Sequence, residues 1–318
     1  MSPPARDIVL LSGGTGGAKL ALGIAEAFGP ERLSVIANTA DDIEIYGALV
    51  SPDPDLVSFW LAGLIDERGW GLEGDSFAVM DALRELGEEI WFNLGDRDLA
   101  WCLQRSALIA EGRTPTAALA RLNAAIGQSV PVLGMSDQPV RTWVSTPAGG
   151  WCAFQEFMIR RRAAGPLDGL EFRGVEQAQP TAEVLEAIAT ARVIVIGPSN
   201  PLASIGPILA VPGLAEALRA ARAPVVAVSP IVGGKVLKGP TAAFMELAGM
   251  PCSAGGVIEL YGDLLAGIVA DEAIDRSPGA PALTSLEIAT RMDDAASRVR
   301  LARETVAFAE SLPAAGAY

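Results

Sequence analysis

The 318-residue chain contains no histidine. That absence excludes Ser-His-Asp triads, histidine general bases, HExxH zinc sites and phosphohistidine chemistry together. Lysine is scarce too: Lys19, Lys235 and Lys238 are the only three among 24 basic residues, and all fall in or beside glycine-rich loops. The three cysteines (Cys102, Cys152, Cys252) are widely separated, which fits a reducing compartment without a disulfide framework. Apolar runs such as Val193–Ile196 and Val225–Val228 are far too short to span a bilayer. The start, MSPPARDIVLLSGG, lacks the charged segment and long apolar stretch of a signal peptide, so a cytoplasmic protein with no membrane partner is expected. Positive charge is in deficit as well. A net charge of −14 argues against a nucleic-acid partner but leaves room for an anionic small molecule held by local donors.

What is present is carboxylates, arginines, glycine loops and a large apolar fraction, 50% of the chain, enough for a sizeable core. No low-complexity tract or fixed-period repeat interrupts it. The pattern predicts strands at Asp7–Leu11, Leu33–Ala37, Ile90–Phe92, Ser129–Leu133, Arg141–Ser145, Trp151–Phe157, Val193–Ile196 and Val225–Val228. Helices are expected at Ala18–Phe28, from Asp55 through Leu64, and at Ser76–Leu86, Leu99–Glu111, Pro115–Ile126, Ala182–Thr190 and Leu214–Ala221, followed by a helical C-terminal third ending with Asp293–Leu312. Strands alternating with helices imply an α/β fold: one three-layer, Rossmann-like domain over 1–318, its sheet mostly parallel with helices on both faces. A smaller inserted lobe is expected over about 135–180, its loop-rich stretch at Arg160–Pro180. The polar, glycine-rich loops each follow an expected strand, and in such sheets ligands sit beyond the carboxyl ends of the strands.

Five loops carry candidate chemistry. Gly13, Gly14, Thr15, Gly16 and Gly17, with Lys19, form a strand–loop–helix unit that fits neither the Walker A spacing nor the dinucleotide fingerprint. It shares their physics, because glycine lets the backbone approach a ligand and a helix N-terminus favours an anion. The plainer alternative is a tight turn that needs glycine for geometry. Asp41 and Asp42 in NTADD, with Asp53 and Asp55 in SPDPD, are either caps and turn residues or oxygen ligands for Mg²⁺. In NLGDRD, Asp98 is a cap and Arg97 its partner, or else Arg97 binds phosphate and Asp96 assists a metal or hydroxyl. Ser199 and Asn200 in GPSNP suit a nucleobase or ribose, and Lys235 and Lys238, in the loop SPIVGGKVLKGP that begins at Ser229, suit phosphates; ordinary turns explain both stretches equally well. MSDQPV at 135–140 reads as a turn.

The ordered set LSGGTGGAKL, NTADDIEIYGALVSPDPD, RGWG, NLGDRD, MSDQPV, FQEF, GPSNPLASIGPIL and SPIVGGK resembles, across nearly the whole chain, the 2-phospho-L-lactate transferases of coenzyme F-420 biosynthesis. The resemblance implies transfer of a phospholactyl, phosphoenolpyruvyl or phosphoglyceryl unit from a guanosine diphosphate-linked three-carbon acid to the ribityl hydroxyl of the deazaflavin Fo, with GMP leaving and Mg²⁺ assisting. It also implies that Gly13–Gly17 bind the diphosphate, and that Asp41 or Asp42, with Asp53 or Asp55, hold Mg²⁺ and orient the hydroxyl. Ser199, Asn200 and the 229–238 loop would serve guanosine, and the protein would be a homodimer. Two positions depart from the family pattern. Asn93 stands where relatives can carry a lysine touching Fo, and Leu99, Ala100, Trp101 and Cys102 follow NLGDRD where relatives tend to show a histidine. Two competing readings are a related nucleotide-sugar-binding gluconeogenesis factor, which would be a binder, and a Rossmann-type dehydrogenase, disfavoured by the glycine spacing.

Overall fold

The computed structural model describes residues 6–274 and 283–313. Its centre is a seven-stranded sheet of β1 (Ile8–Ser12), β2 (Leu33–Ala37), β3 (Val132–Gly134), β4 (Val193–Ile196), β5 (Val225–Val228), β6 (Gly267–Ala270) and β7 (Thr284–Glu287). The spatial order is β7-β6-β5-β4-β1-β2-β3, with every pairing parallel. The chain winds outward from β1 through β2 to β3, then returns to lay β4 on the other flank of β1. That reversal opens a crevice at the carboxyl end of β1, where doubly wound sheets bind ligands.

The strands are apolar on both faces because helices cover both. Ile8 and Leu10 of β1 pack with α1 (Gly14–Phe28), α2 (Pro52–Leu61) and the C-terminal helix Ala295–Ser311, while Val9 and Leu11 pack with residues such as Val184, Ile188, Leu214 and Leu218 on the opposite side. Helices α3 (Ala78–Glu85), α4 (Asp96–Ala110) and α5 (Pro115–Ala125) follow α2 in the chain. The fold class is therefore the one expected from the sequence. A separate three-stranded antiparallel sheet, Gly150–Ala153, Arg141–Thr146 and Gly169–Arg173, has its own small core of Val144, Cys152, Phe154, Phe157 and Phe244.

Several elements differ from the sequence reading. Ile90–Phe92 is not a strand: the segment finds no sheet partner, and the amide of Phe92 donates instead to the Tyr46 hydroxyl. NLGDRD therefore joins α3 to α4 rather than ending a strand. Trp151–Phe157 splits into a strand to Ala153 and a helix, Phe154–Ile159, that buries Phe154 and Phe157. The stretch at Arg160–Pro180, expected to be loop-rich, contains the strand Gly169–Arg173. The long loop before Asp55 contains a hairpin, Ile43–Ile45 with Ala48–Val50, and α2 begins at Pro52 with proline at its first position, where no amide is lost. The C-terminal third, expected as helix, also supplies β6 and β7; residues 275–282 of it lie outside the described residues.

Candidate active site

The register of β1 with its neighbours, Ser12 against Ala37 and Leu11 against Ile196, brings the loops that begin at Gly13, Asn38 and Gly197 to one level. The glycine loop is fastened on both sides. The amide of Gly13 donates to Ser199 Oγ at 3.1 Å, and that hydroxyl donates back to the Gly13 carbonyl at 2.5 Å. Packing alone already requires glycine at two of these positions. A Cβ on Gly16 would lie 2.3 Å from the Pro198 carbonyl oxygen, and one on Gly17 would lie 2.2 Å from Ser12 Oγ. Gly14 is the exception: its φ of +64° favours glycine and nothing lies within 4 Å of its would-be Cβ, so its open side is the one free for a ligand.

Helix α1 has no side-chain cap of its own. Its first amide, of Gly14, donates to Asp53 Oδ1 at 2.7 Å, so the first turn of α2 supplies the missing cap. The next amides, of Thr15 and Gly16, belong to the first-turn donors that an α-helix leaves without internal partners. Asp53 Oδ2 accepts from Asn38 Nδ2 at 2.9 Å, and Asn38 Oδ1 accepts the Ala40 amide at 2.9 Å, which braces NTADD against α2. Sequence reasoning passed over Asn38; its place directly after β2 was the available signal.

Asp41 and Asp53 are 5% and 6% exposed. Burial, followed by the charge of Asp53, raises the Asp41 carboxyl well above the ordinary carboxylate range, and its Oδ1 has no hydrogen-bond partner. Burial likewise pushes Asp53 up to about 6 against hydrogen bonds from Asn38 and Gly14. Half-buried Asp42 rises to about 7 for the same reason, opposed by the Ser51 hydroxyl that donates to it at 2.7 Å. A Mg²⁺ ion fits this donor set: two hard-oxygen carboxylates held near each other, one with an orphaned oxygen and neither in an ion pair among the described residues.

Asp55 lies in a different environment. Its Oδ1 accepts from Trp101 Nε1 at 2.8 Å and from the Arg105 guanidinium, in an ion pair whose two side chains are 6% and 3% exposed. Asp98 and Cys102 approach it closely enough to suggest a second cation site. The donors there do not fit one, since Arg105 already neutralises Asp55 and burial drives the Cys102 thiol further from ionisation. Burial, with Asp55 next, also pushes Asp98 up to about 7. Trp101, in the stretch that follows NLGDRD, is thus a partner of Asp55 that the sequence did not disclose.

The remaining candidates are dispersed. Asp96 accepts from the Ser76 hydroxyl and the Ala78 and Val79 amides, capping α3. Arg97 is exposed and donates to the Glu73 carbonyl, and exposed Asn93 accepts from Arg84. Lys19 donates to the Met292 carbonyl at 3.1 Å and lies 5.7 Å from the Trp60 ring; burial and then the nearby Lys238 charge lower its pKa. Asn200 caps the turn at Pro201–Ile205, accepting from the Leu202 and Ala203 amides, and buried Ser229 accepts the Ile231 amide. Lys235 is exposed on the short hairpin formed by Ile231–Val232 and Lys235–Val236.

Residues 8–303 match the family described as 2-phospho-L-lactate transferase CofD. The chain belongs to that family. A 2-phospho-L-lactate transferase of Methanosarcina mazei is 41% identical over 266 residues, covering 83% of this chain and 87% of that one. A phosphoenolpyruvate transferase of Kitasatospora aureofaciens is 39% identical over 317 residues, covering 96% and 98%. Among solved structures, a upf0052 family member of Bacillus halodurans shares the fold, with a TM-score of 0.58 at 18% identity over 95% of this chain and 99% of that one. Family membership makes the chain a transferase enzyme. Among the described residues no helix is long and apolar enough to cross a membrane.

Proposed function

We propose that this transferase moves a phospholactyl, phosphoenolpyruvyl or phosphoglyceryl unit from a guanosine diphosphate-linked three-carbon acid to the ribityl hydroxyl of the deazaflavin Fo, releasing GMP, in the cytoplasm and as a homodimer. The observation that carries the reading is the close pair Asp41 and Asp53, set against the first amide of α1. Relatives named for phospholactate and for phosphoenolpyruvate transfer align at 41% and 39% identity, which supports phospho-acid transfer as the shared chemistry.

In the reaction, the acceptor hydroxyl oxygen forms a bond to the phosphorus that carries the acid, and the bond from that phosphorus to the bridging oxygen breaks. The bridging oxygen leaves with GMP, and the hydroxyl proton passes to a carboxylate of the acid cluster. Such transfers have loose transition states, so positioning and charge neutralisation matter more than a strong base. That is how a chain without histidine can perform the reaction. Asp41 and Asp53 would hold Mg²⁺, which when bound neutralises charge building on the phosphoryl oxygens. The free amides beyond Gly14 receive the diphosphate, and the loops after β4 and β5, with Ser199, Asn200 and Ser229, face the guanosine. Asp55, already neutralised by Arg105, positions the acid cluster from behind. The test is incubation of the enzyme with Fo, Mg²⁺ and each guanosine-linked acid, with product identified by mass; no Fo-containing product from any donor would refute the reading. The same masses identify the acid.

A further inference from the structure

We propose that Trp70 is a stacking platform for the flat tricyclic ring of the acceptor, an inference that rests on the function proposed above. Trp70 is 52% exposed, more than any other aromatic side chain among the described residues. Only Trp151, 41% exposed on the separate antiparallel sheet, comes near it among the described aromatics, and an indole left half in water beside a glycine loop needs an explanation. It is also held still. The turn carrying it is closed by the Gly69 amide donating to the Asp66 carbonyl at 2.8 Å and the Asp66 amide donating to the Gly71 carbonyl at 3.0 Å. The Arg68 guanidinium covers the ring at 4.4 Å from its centroid, and Arg68 is itself pinned by Asp66 Oδ1, at 2.6 Å from its Nε and 2.9 Å from its amide. One face of the indole is thus occupied by a cation, which leaves the other for a π-system.

The turn lies against the glycine loop. A Cβ on Gly69 would stand 3.8 Å from the Thr15 methyl and 4.0 Å from the Trp60 ring, so the turn that carries Trp70 borders the crevice at the carboxyl end of β1. The sheet order decides which substrate it meets. Trp60 belongs to α2, which packs on β2 and β3, whereas the loops assigned to guanosine follow β4 and β5 on the other flank of β1. Trp70 therefore lies on the acid-cluster side, where the acceptor hydroxyl must be held. A planar, conjugated ring stacks on such a face without needing sequence-specific hydrogen bonds.

The experiment follows Fo fluorescence anisotropy on wild type, W70F and W70A, with GDP affinity measured by calorimetry and steady-state kinetics alongside. The expected result is Fo binding weakened about tenfold or more in W70A and within about threefold in W70F, as loss of one aromatic stack predicts. The Fo KM should rise in step while kcat at saturating Fo and the affinity for GDP stay as in wild type. Wild type that binds no Fo overturns the proposed function and this inference with it. Wild type that binds Fo, beside W70A that binds it equally well, overturns the inference alone. Weakened GDP binding with Fo unaffected overturns it too, by assigning the indole to the nucleotide.

Discussion

The amide of Gly14 donates to Oδ1 of Asp53 at 2.7 Å, joining the glycine loop to the acid cluster by one bond between residues 39 positions apart. On the function proposed above, the helix that would receive the donor's phosphates is capped by a carboxylate that would also complete the cation site. Changing Asp53 therefore disturbs both halves of the reaction. We expect Asp53→Asn and Asp41→Asn each to lower kcat by about 10²-fold or more, the range seen when one charge-stabilising group is lost. Melting temperatures should hold or rise, because a buried charge has been removed. Full turnover of both variants at saturating Mg²⁺ would defeat the carboxylate model.

The pH dependence of stability follows from the same carboxyls. Asp53 at about 6, Asp42 and Asp98 at about 7, and Asp41 above its ordinary range all bind protons more tightly in the folded chain than in the unfolded one. Between their unfolded values near 3.8 and these raised values, the folded state carries the extra protons, so stability is full at low pH and falls as pH rises. Asp7 and Asp294, whose pKa values are lowered, work in the opposite direction at lower pH. Without metal, the melting temperature should drop from pH 5 to pH 8. Mg²⁺ should restore it at pH 8 and have little effect at pH 5, which a differential scanning titration would reveal; an equal effect at both would tell against metal at these acids.

Arg105 and Asp55 predict a stability effect of a different kind. Both side chains are buried, so removing one leaves the other charge without a partner. Arg105→Ala should cost about 3–5 kcal/mol in urea unfolding, and adding Asp55→Asn should recover part of it. A loss below about 1 kcal/mol would mean the pair behaves like an exposed one.

Two glycine substitutions separate packing from ligand approach. Gly16→Ala puts a methyl 2.3 Å from the Pro198 carbonyl, so thermal stability and activity should fall together. Gly14→Ala meets no atom within 4 Å and pays only for its left-handed backbone, roughly 1–2 kcal/mol. Its KM for the guanosine donor should nevertheless rise, because the methyl enters the free face of the loop. Unchanged donor KM in Gly14→Ala would remove the phosphates from that face.

The fold was legible because its signals are local. Four buried strands, β1, β2, β4 and β5, are short apolar runs that each lead into a polar loop, and the helices between them keep apolar spacing. Elements defined by distant partners were hidden. Ile90–Phe92 has strand-like composition but no neighbour to pair with, while Gly169–Arg173 pairs with Arg141–Thr146 across more than twenty residues. The site followed the same division. The sequence pointed to the aspartates as a group, but nothing in SPDPD tells Asp53, which faces Gly14 and Asn38, from Asp55, which faces Arg105 and Trp101. Two residues apart in the first turn of a helix, they project toward different neighbours, and that is a property of packing.

The fastening of Gly13 to Ser199 spans 186 residues, and it sets the order in which the enzyme comes into being. As the chain emerges from the ribosome, β1, β2 and the aspartates can assemble early, yet the glycine loop lacks its clasp until β4 and the turn after it have been made. More than half of the protein is synthesised before the glycine loop can take its final shape. A nascent or truncated chain ending before Ser199 would carry every carboxylate of the acid cluster and still have an unclasped glycine loop.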